Sequence, residues 1–340
     1  MASLDNGVNA LPKNFPNYSQ LNALSRLLEE VAESGYRFTT PTPLTHQTVL
    51  QNCRAAKGKT LRDIFGWNLS FAAADINASL WETMHAAGIL CANDGLFKSK
   101  IRIATLEDGL FLHSGYPTTQ EDAVFFGPDT YRFIRFIRHC LNQTSLRAPV
   151  RRILDIGCGS GVGGVMSARI VTKYNLPDAA ALQVVMNDIN PLALKLTELN
   201  AQLAKVPVDL VLGDAFSAVS GEFDLIVCNP PYLEDAQERA YRHGGADLGR
   251  ALGIRIAQQA LSHLAPGGRL LLYTGVAIVE GKDAFIAELE PLLVAGEYDW
   301  AYDEIDPDIF GEELTRPQYQ DVERIAAVGL TVMRALNPTA

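Results

Sequence analysis

The chain has 340 residues, of which 48% are hydrophobic and 20% are charged, and this composition excludes a largely disordered protein. Its net charge of −10 gives no global basic field for phosphates, so a protein or small-molecule partner is favoured over nonspecific nucleic-acid binding. The five cysteines lack CxxC spacing, and the sequence has neither a basic leader nor a run of 18 apolar residues. We therefore expect a cytoplasmic protein with no disulfide framework, metal site or membrane segment.

Residues 1–120 predict a smaller N-terminal accessory domain of the α+β type. Residues 1–17 have no periodicity and are expected to be an irregular lead-in. Ser19 is a candidate N-cap for a first helix, in which leucines recur at helical spacing until Gly35 stops it. The prolines in residues 39–43 then predict an extended connector.

The second half of this N-terminal region changes from helical to strand periodicity. Residues 44–90 predict three or four short helices, and alternation over residues 100–112, around a turn at residues 107–109, predicts a β-hairpin. Helices followed by a hairpin suggest a winged-helix-like domain, which would contact nucleic acid or protein. The alternative is a lid or scaffold packed on the next domain.

Residues 121–340 predict an α/β domain with a doubly wound, mostly parallel, Rossmann-like sheet. Asp129 or Thr130 is a candidate cap for a helix that precedes it. A late hairpin of strands 297–303 and 325–333, after a helix at 281–293, would add an antiparallel edge. The predicted parallel strands are 151–156, 182–187, 208–212, 223–228 and 269–274, and the helices between them are 162–174, 191–204 and 247–264.

A glycine turn follows the first of these strands and opens a helix. Gly157, Gly159 and Gly161 lack Cβ atoms, so a ligand can lie against the backbone together with Cys158 and Ser160. The stretch also satisfies GxGxxG, which alone is weak support for a dinucleotide. Asp155 at the strand end would repel a pyrophosphate but can help to hold a cationic amino-acid group, directly or through water. A nucleoside joined to an aminocarboxylate therefore fits better than NAD.

The next two strands also end in acidic residues. Asp188 is positioned to accept hydrogen bonds from both hydroxyls of a ribose, and its alternative role as a helix N-cap is better filled by Asn190. Asp214 is a candidate acceptor for an adenine amine, with Ala215 and Phe216 flanking the ring. The alternative for this last group is a turn with a core phenylalanine.

The strand at 223–228 ends in the corner Asn229-Pro-Pro-Tyr232. The side chain of Asn229 and the carbonyl of Pro230 can accept hydrogen bonds, because the prolines at 230 and 231 have no N–H to compete. Tyr232 adds a flat ring. Such a corner suits a planar group with an NH2, either the amide of Gln or Asn or the exocyclic amine of a base. The alternative is a proline-rich turn after a buried strand.

Taken together, these motifs resemble class I S-adenosylmethionine-dependent methyltransferases in their order and strand positions. They are most similar to the protein-(glutamine-N5) methyltransferases that modify peptide-chain release factors. Residues 126–130, 244–249 and 264–268 add to this resemblance, which covers residues 125–275. Tyr131 departs from the family, where Glu is usual, and Ala215 stands where a larger side chain often lines the adenine.

The resemblance implies a fold, a cofactor and a reaction. The cofactor would be S-adenosylmethionine, held by residues 155, 157–161, 188, 214–216 and 229. The catalytic residues would be Asn229, Pro230, Pro231 and Tyr232. They would position an amide nitrogen and stabilise the charge that develops on it, with no strong general base. The acceptor would be a glutamine of a macromolecular protein substrate such as a release factor.

Two alternatives remain open at this stage. One is methylation of a base amino group in ribosomal RNA or DNA. Basic residues of the N-terminal region would then contact the RNA (Arg54, Lys57, Lys59, Arg62, Lys98, Lys100 and Arg102). The other is a non-catalytic cofactor-binding interaction protein. The intact glycines, Asp188 and Asn229 argue against that second alternative.

Overall fold

A computed structural model of the chain describes residues 17–52, 57–143, 149–175, 182–235, 239 and 241–336. The predicted lead-in at residues 1–16 and the basic residue Arg54 lie outside these ranges. The helices are α1 Tyr18–Glu33, α2 Pro43–Asn52, α3 Ala78–Ala86, α4 Pro128–Gln143, α5 Val162–Asn175, α6 Pro191–Leu203, α7 Ala251–Leu261 and α8 Ala284–Ala295. The strands are β1 Leu90–Asn93, β2 Leu96–Ser99, β3 Ile101–Leu106, β4 Gly109–Ser114, β5 Arg152–Ile156, β6 Gln183–Asp188, β7 Asp209–Leu212, β8 Phe223–Cys228, β9 Leu264–Val279, β10 Lys282–Asp283, β11 Asp299–Asp306 and β12 Arg324–Met333.

The central sheet has the strand order β11-β12-β9-β8-β5-β6-β7, and the short β10 pairs with β9. Strands β7, β6, β5, β8 and β9 run parallel, whereas β12 and β11 are antiparallel additions at one edge. The predicted doubly wound sheet and its late antiparallel hairpin are therefore confirmed. The order changes direction at β5, so the carboxyl ends of β5 and its neighbours leave a crevice where ligands bind in such sheets.

Several predicted boundaries move by a few residues, and each shift has a local cause. The cap of α1 is Asn17 rather than Ser19, because Asn17 forms a capping box with Gln20. Helix α7 begins at 251 rather than 247, since Asp247 and Leu248 have positive φ angles of 60° and 58° and form a turn. Strand β9 is longer than predicted because β12 pairs with it continuously from Arg269 to Ile278.

The N-terminal region contains the predicted short helices and hairpin, and it also contains a second hairpin, β1–β2, that was not predicted. Its hydrophobic core includes Ala193, Leu196 and Leu199 of α6. The amide Nδ2 of Asn200 on α6 donates to the carbonyl of Leu112 on β4, at 3.1 Å. The region is thus packed directly on the sheet domain through α6.

Within the described residues, no helix is both long and apolar enough to cross a membrane. In the same part of the chain, no group of three or more His, Cys, Asp or Glu side chains could hold a metal ion.

Candidate active site

A cavity of about 390 Å³ lies at the carboxyl ends of the parallel strands. One wall consists of the ends of β5, β6 and β8, and it includes Asp155, Asp188 and Asn229. The opposite wall comes from the N-terminal region and includes His46, Arg102 and Tyr116. A volume of this size suits a small ligand or the reactive end of a larger one.

The glycine turn after β5 forms the floor of this cavity. Gly157 and Gly159 have φ angles of 68° and 56°, and a Cβ at either position would meet nothing within 4 Å. Both glycines, with Cys158 and Ser160, therefore leave backbone open to a ligand. Gly161 was predicted to do the same, but it does not. A Cβ there would lie 2.8 Å from Thr197, so Gly161 permits the close approach of α6 instead.

Asp188 supports the glycine turn from the end of β6. One carboxylate oxygen accepts from the N–H of Gly159 and the other from the N–H of Asn190, each at 2.8 Å. The side chain of Asn190 caps α6 by accepting from the N–H of Leu192, as the sequence predicted. The N–H of Ile189 also interacts with this carboxylate, whose two oxygens offer about four acceptor positions, so acceptor capacity remains for a ligand in the cavity.

Asp155 is buried at the end of β5, and its carboxylate accepts from the N–H of Gly164 at 2.7 Å. Burial, with a smaller contribution from the charge of Asp188, raises the pKa of Asp155 to about 7. A carboxyl group with this pKa changes its charge near neutral pH. It can therefore become a full counter-charge when a cationic group enters the cavity.

The group after β7 differs from its prediction in two respects. Asp214 forms a two-point ion pair with Arg255, with both N–O distances at 2.8 Å, and this partner was not predicted. Ala215 lines the cavity with a φ of 46°. Phe216 was predicted to flank an adenine ring but is a core residue, with its ring 4.6 Å from that of His263. The alternative of a turn with a core phenylalanine is thus right for Phe216.

The corner after β8 presents Asn229, Pro230, Pro231 and Tyr232 to the cavity. Among the described residues, none donates a hydrogen bond to the side chain of Asn229, which leaves its amide for a ligand. The loop that follows folds back on the corner, since the N–H of Gly244 donates to the carbonyl of Leu233 at 2.8 Å.

The ring of Tyr232 is held by a buried polar cluster. Its hydroxyl donates to the carboxylate of Asp129, which also accepts from the hydroxyl of Tyr273 at 2.9 Å and pairs with Arg132 at 3.1 Å. Asp129 was predicted as a helix cap, but α4 begins at Pro128 and Asp129 lies in its first turn. The cluster fixes the plane of the Tyr232 ring from behind, because its hydroxyl is anchored.

The cavity residues from the N-terminal region were not predicted as site residues. His46 lies on α2 and Arg102 on β3, so their meeting depends on tertiary packing. Tyr116 stacks on His46 with the ring centres 4.1 Å apart. The one available signal was the basic residue at 102 in a strand that otherwise alternates with apolar residues. Arg102 was grouped with the basic residues that would contact RNA, whereas it is only 4% exposed.

Comparison with known proteins adds a family match. The family model of the methyltransferase small domain matches residues 135–278. This range contains β5 to β8, all of β9 except its last residue, and every residue of the glycine turn and the corner.

Three curated relatives each match part of the chain. A ribosomal RNA small subunit methyltransferase C of Pasteurella multocida is 34% identical over 128 residues, covering 37% of this chain and 34% of the relative. A putative protein N5-glutamine methyltransferase of Methanocaldococcus jannaschii is 33% identical over 147 residues, covering 41% and 68%. A release factor glutamine methyltransferase of Deinococcus radiodurans is 32% identical over 151 residues, covering 40% and 50%. The chain thus spans between 34% and 68% of the length of these relatives.

Proposed function

Since the chain belongs to the class I S-adenosylmethionine-dependent methyltransferases, we propose that it methylates the side-chain amide nitrogen of a glutamine in a protein such as a release factor. The observation that carries the proposal is Asn229, a side chain without a described protein partner that faces the same cavity as the glycine turn. When bound, S-adenosylmethionine supplies an electrophilic methyl group. The new N–C bond forms as the S–C bond breaks, and the nitrogen then loses a proton.

The cavity fits this cofactor in three places. The open backbone at Gly157 and Gly159 allows the close approach of the aminocarboxylate, and Asp155 supplies charge for its ammonium group. The remaining acceptor capacity of the Asp188 carboxylate would serve the ribose hydroxyls. At the end of β7, Ala215 would leave room for the adenine. Asp214 would accept from the adenine amine through lone pairs that Arg255 does not use.

The chain's contribution to the reaction is to orient the acceptor. The NH2 of the acceptor would donate to the side-chain oxygen of Asn229 and to the carbonyl of Pro230, which directs the nitrogen lone pair towards the methyl group. An amide nitrogen is a poor nucleophile because its lone pair is delocalised. These two acceptors stabilise the positive charge that develops on it during transfer. Tyr232, anchored by Asp129, would cover the amide plane.

The choice of glutamine is supported by those two of the three relatives that the chain covers over the larger share of their length. These are the putative N5-glutamine methyltransferase, covered over 68% of its length, and the release factor enzyme, covered over 50%. The ribosomal RNA relative is equally similar in sequence but is covered over 34% of its length. The net charge of −10 also disfavours long-range attraction of RNA. Methylation of a base amino group is therefore the second candidate function.

A labelling experiment distinguishes the two candidates. The purified enzyme is incubated with methyl-labelled S-adenosylmethionine and either a release factor that carries its Gly-Gly-Gln segment or ribosomal RNA. We expect label in the release factor and none in the RNA. Replacing the glutamine of that segment by asparagine should abolish labelling. If the RNA is labelled and the release factor is not, the glutamine proposal is wrong and methylation of a base amino group takes its place.

The raised pKa of Asp155 predicts that cofactor affinity depends on pH. Below about pH 7 the free protein holds Asp155 protonated, so binding of the cofactor's ammonium group must release that proton. We expect the Kd to rise as pH falls below 7, by up to about tenfold per unit, and to level off above 7. Titration calorimetry in two buffers of different ionisation enthalpy measures both the Kd and the released proton.

The control for this prediction is Asp155→Asn, which cannot ionise. Above pH 7 its Kd should be larger than that of the wild type, and it should not change with pH. A wild-type Kd that is the same at about pH 6 and pH 7.5, or proton uptake on binding, would contradict a contact between Asp155 and the ammonium group.

A further inference from the structure

Arg102 is a buried cation in the cavity wall without an acidic partner in the described part of the chain. The guanidinium is 4% exposed and lines the cavity on the side of the N-terminal region. Its Nε donates to the carbonyl of Gly66 at 2.9 Å, and one Nη contacts Nδ1 of His46 at 3.3 Å. The groups that favour its charged form are the tyrosines Tyr36, Tyr131 and Tyr116, which are neutral near pH 7.

His46 faces the guanidinium as a neutral acceptor and supplies no counter-charge. Nε2 of His46 lies 2.9 Å from the carbonyl of Trp67, an acceptor, so Nε2 carries the ring proton. Nδ1 is then the unprotonated nitrogen and accepts from Arg102. Burial lowers the pKa of His46 to about 4, and the charge of Arg102 lowers it as well, so the ring is neutral. Burial lowers the pKa of Arg102 only to about 10, which leaves it protonated at neutral pH.

A second cation, Lys98, lies close to Arg102 and His46. Nζ of Lys98 donates to the carbonyl of Tyr116 at 2.5 Å, and its positive charge acts on both His46 and Arg102. Burying a charge without a counter-ion is costly, and buried cations in proteins are normally paired. Here Arg102 is buried in the cavity wall, and the half-buried Lys98, outside the cavity lining, adds a second positive charge nearby, in a chain whose net charge is −10. The missing counter-charge is therefore expected to come from a ligand.

We propose that Arg102 is the centre of an oxyanion-binding subsite, which takes a phosphate or carboxylate group carried by the methyl acceptor. A guanidinium binds either group through parallel N–H donors. The carboxylate would come from a peptide and the phosphate from a nucleotide. Because Arg102 and Asn229 line one cavity, the subsite can hold the acceptor by its anionic group while Asn229 orients its NH2. This second role rests on the proposed function, but anion binding itself does not.

Anion binding is tested with inorganic phosphate and acetate, added at constant ionic strength against chloride, while the Tm is recorded. The wild type should gain Tm with at least one of the two ions, and Arg102→Gln should lose at least four fifths of that gain. Arg62→Gln is the matched control, since Arg102 and Arg62 both lie over the Phe38 ring, 5.8 Å and 5.1 Å from its centre, but Arg62 is outside the cavity lining. It should respond as the wild type does. An equal response of wild type and Arg102→Gln, or none in the wild type, overturns the proposal.

The loss of the hydrogen bond to Gly66 can unfold the Arg102→Gln protein, so a measurement on the wild type complements the variants. Crystals soaked in selenate should show an anomalous peak within hydrogen-bond distance of the Arg102 guanidinium. Selenate peaks elsewhere only would overturn the proposal.

Two matched pairs of compounds identify the source of the oxyanion, each bound to the complex with S-adenosylhomocysteine. One pair is N-acetylglycylglutamine and its C-terminal amide, and the other is guanosine 5′-monophosphate and guanosine. In the pair that resembles the acceptor, the anionic member should bind at least tenfold more tightly, and Arg102→Gln should remove this preference. If the anionic member binds no more tightly in either pair, the subsite does not bind the methyl acceptor. Anion binding without any methyl transfer would instead refute the proposed function and leave the subsite standing.

Discussion

Replacing Asn229 with alanine is expected to lower kcat by a factor of about 10² to 10³ while the protein stays folded. This loss corresponds to about 2.7 to 4 kcal/mol of transition-state stabilisation, the usual effect of removing one preorganised polar group. The side-chain oxygen of Asn229 would accept a hydrogen bond that strengthens as the acceptor nitrogen becomes positive. Single-turnover rates with saturating S-adenosylmethionine and the labelled acceptor measure the effect.

The control for this prediction is Asn229→Asp, which keeps the shape and an acceptor oxygen but removes the NH2. It should retain more activity than Asn229→Ala, because the developing positive charge needs an acceptor rather than a donor. Circular dichroism and the Tm verify that both variants are folded. A kcat of Asn229→Ala within a few-fold of the wild type would remove Asn229 from the mechanism.

Asp188→Ala is expected to weaken binding of S-adenosylhomocysteine by about 1.5 to 3 kcal/mol, or roughly 10- to 150-fold. The carboxylate holds the N–H of Gly159 and the N–H of Asn190 and would also accept from the ribose hydroxyls. Both roles favour the bound state. Titration calorimetry gives the Kd, and NAD serves as a nucleotide that neither protein should bind.

Analogues of the ligand separate the contact with ribose from the support of the glycine turn. The wild type should bind the 2′-deoxy and 3′-deoxy forms of S-adenosylhomocysteine more weakly than the parent, whereas Asp188→Ala should bind all three alike. Asp209→Ala is the matched control, since Asp209 begins the neighbouring strand β7 at the other end of the sheet. If Asp188→Ala still discriminates between the three ligands, Asp188 supports the turn without touching the ribose.

The sequence predicts the parts of this molecule that depend on local pattern. Alternating strands and helices, the turn at residues 157–161 and the corner at 229–232 each have a local signature, and the structure contains all of them. Contacts between distant segments have no such signature. Gly161 could not be distinguished from Gly157, because the difference is the side chain of Thr197 on another helix. In the same way, Phe216 differs from a ligand contact only by its packing on His263.

The wall of the cavity shows the same limit. Arg102 and His46 are 56 positions apart and meet only because β3 and α2 belong to one packed unit. A charged residue within a strand normally indicates a solvent-facing side, but the side chain of Arg102 is buried. The predicted domain boundary at residue 120 likewise rests on a change of periodicity along the sequence. Such a change says nothing about the packing between the two regions.

The sharing of α6 between the two regions limits how this enzyme can change its substrate. Ala193, Leu196 and Leu199 pack into the hydrophobic core of the N-terminal region, while the N-terminal end of the same helix follows Asp188 directly. A recognition module that is merely tethered can be exchanged by recombination at its linker. In this chain, an exchange at residue 120 would leave an apolar helix face that fits only the original module. New specificity is therefore expected to arise by point substitution around His46 and Arg102, with both regions inherited as one unit.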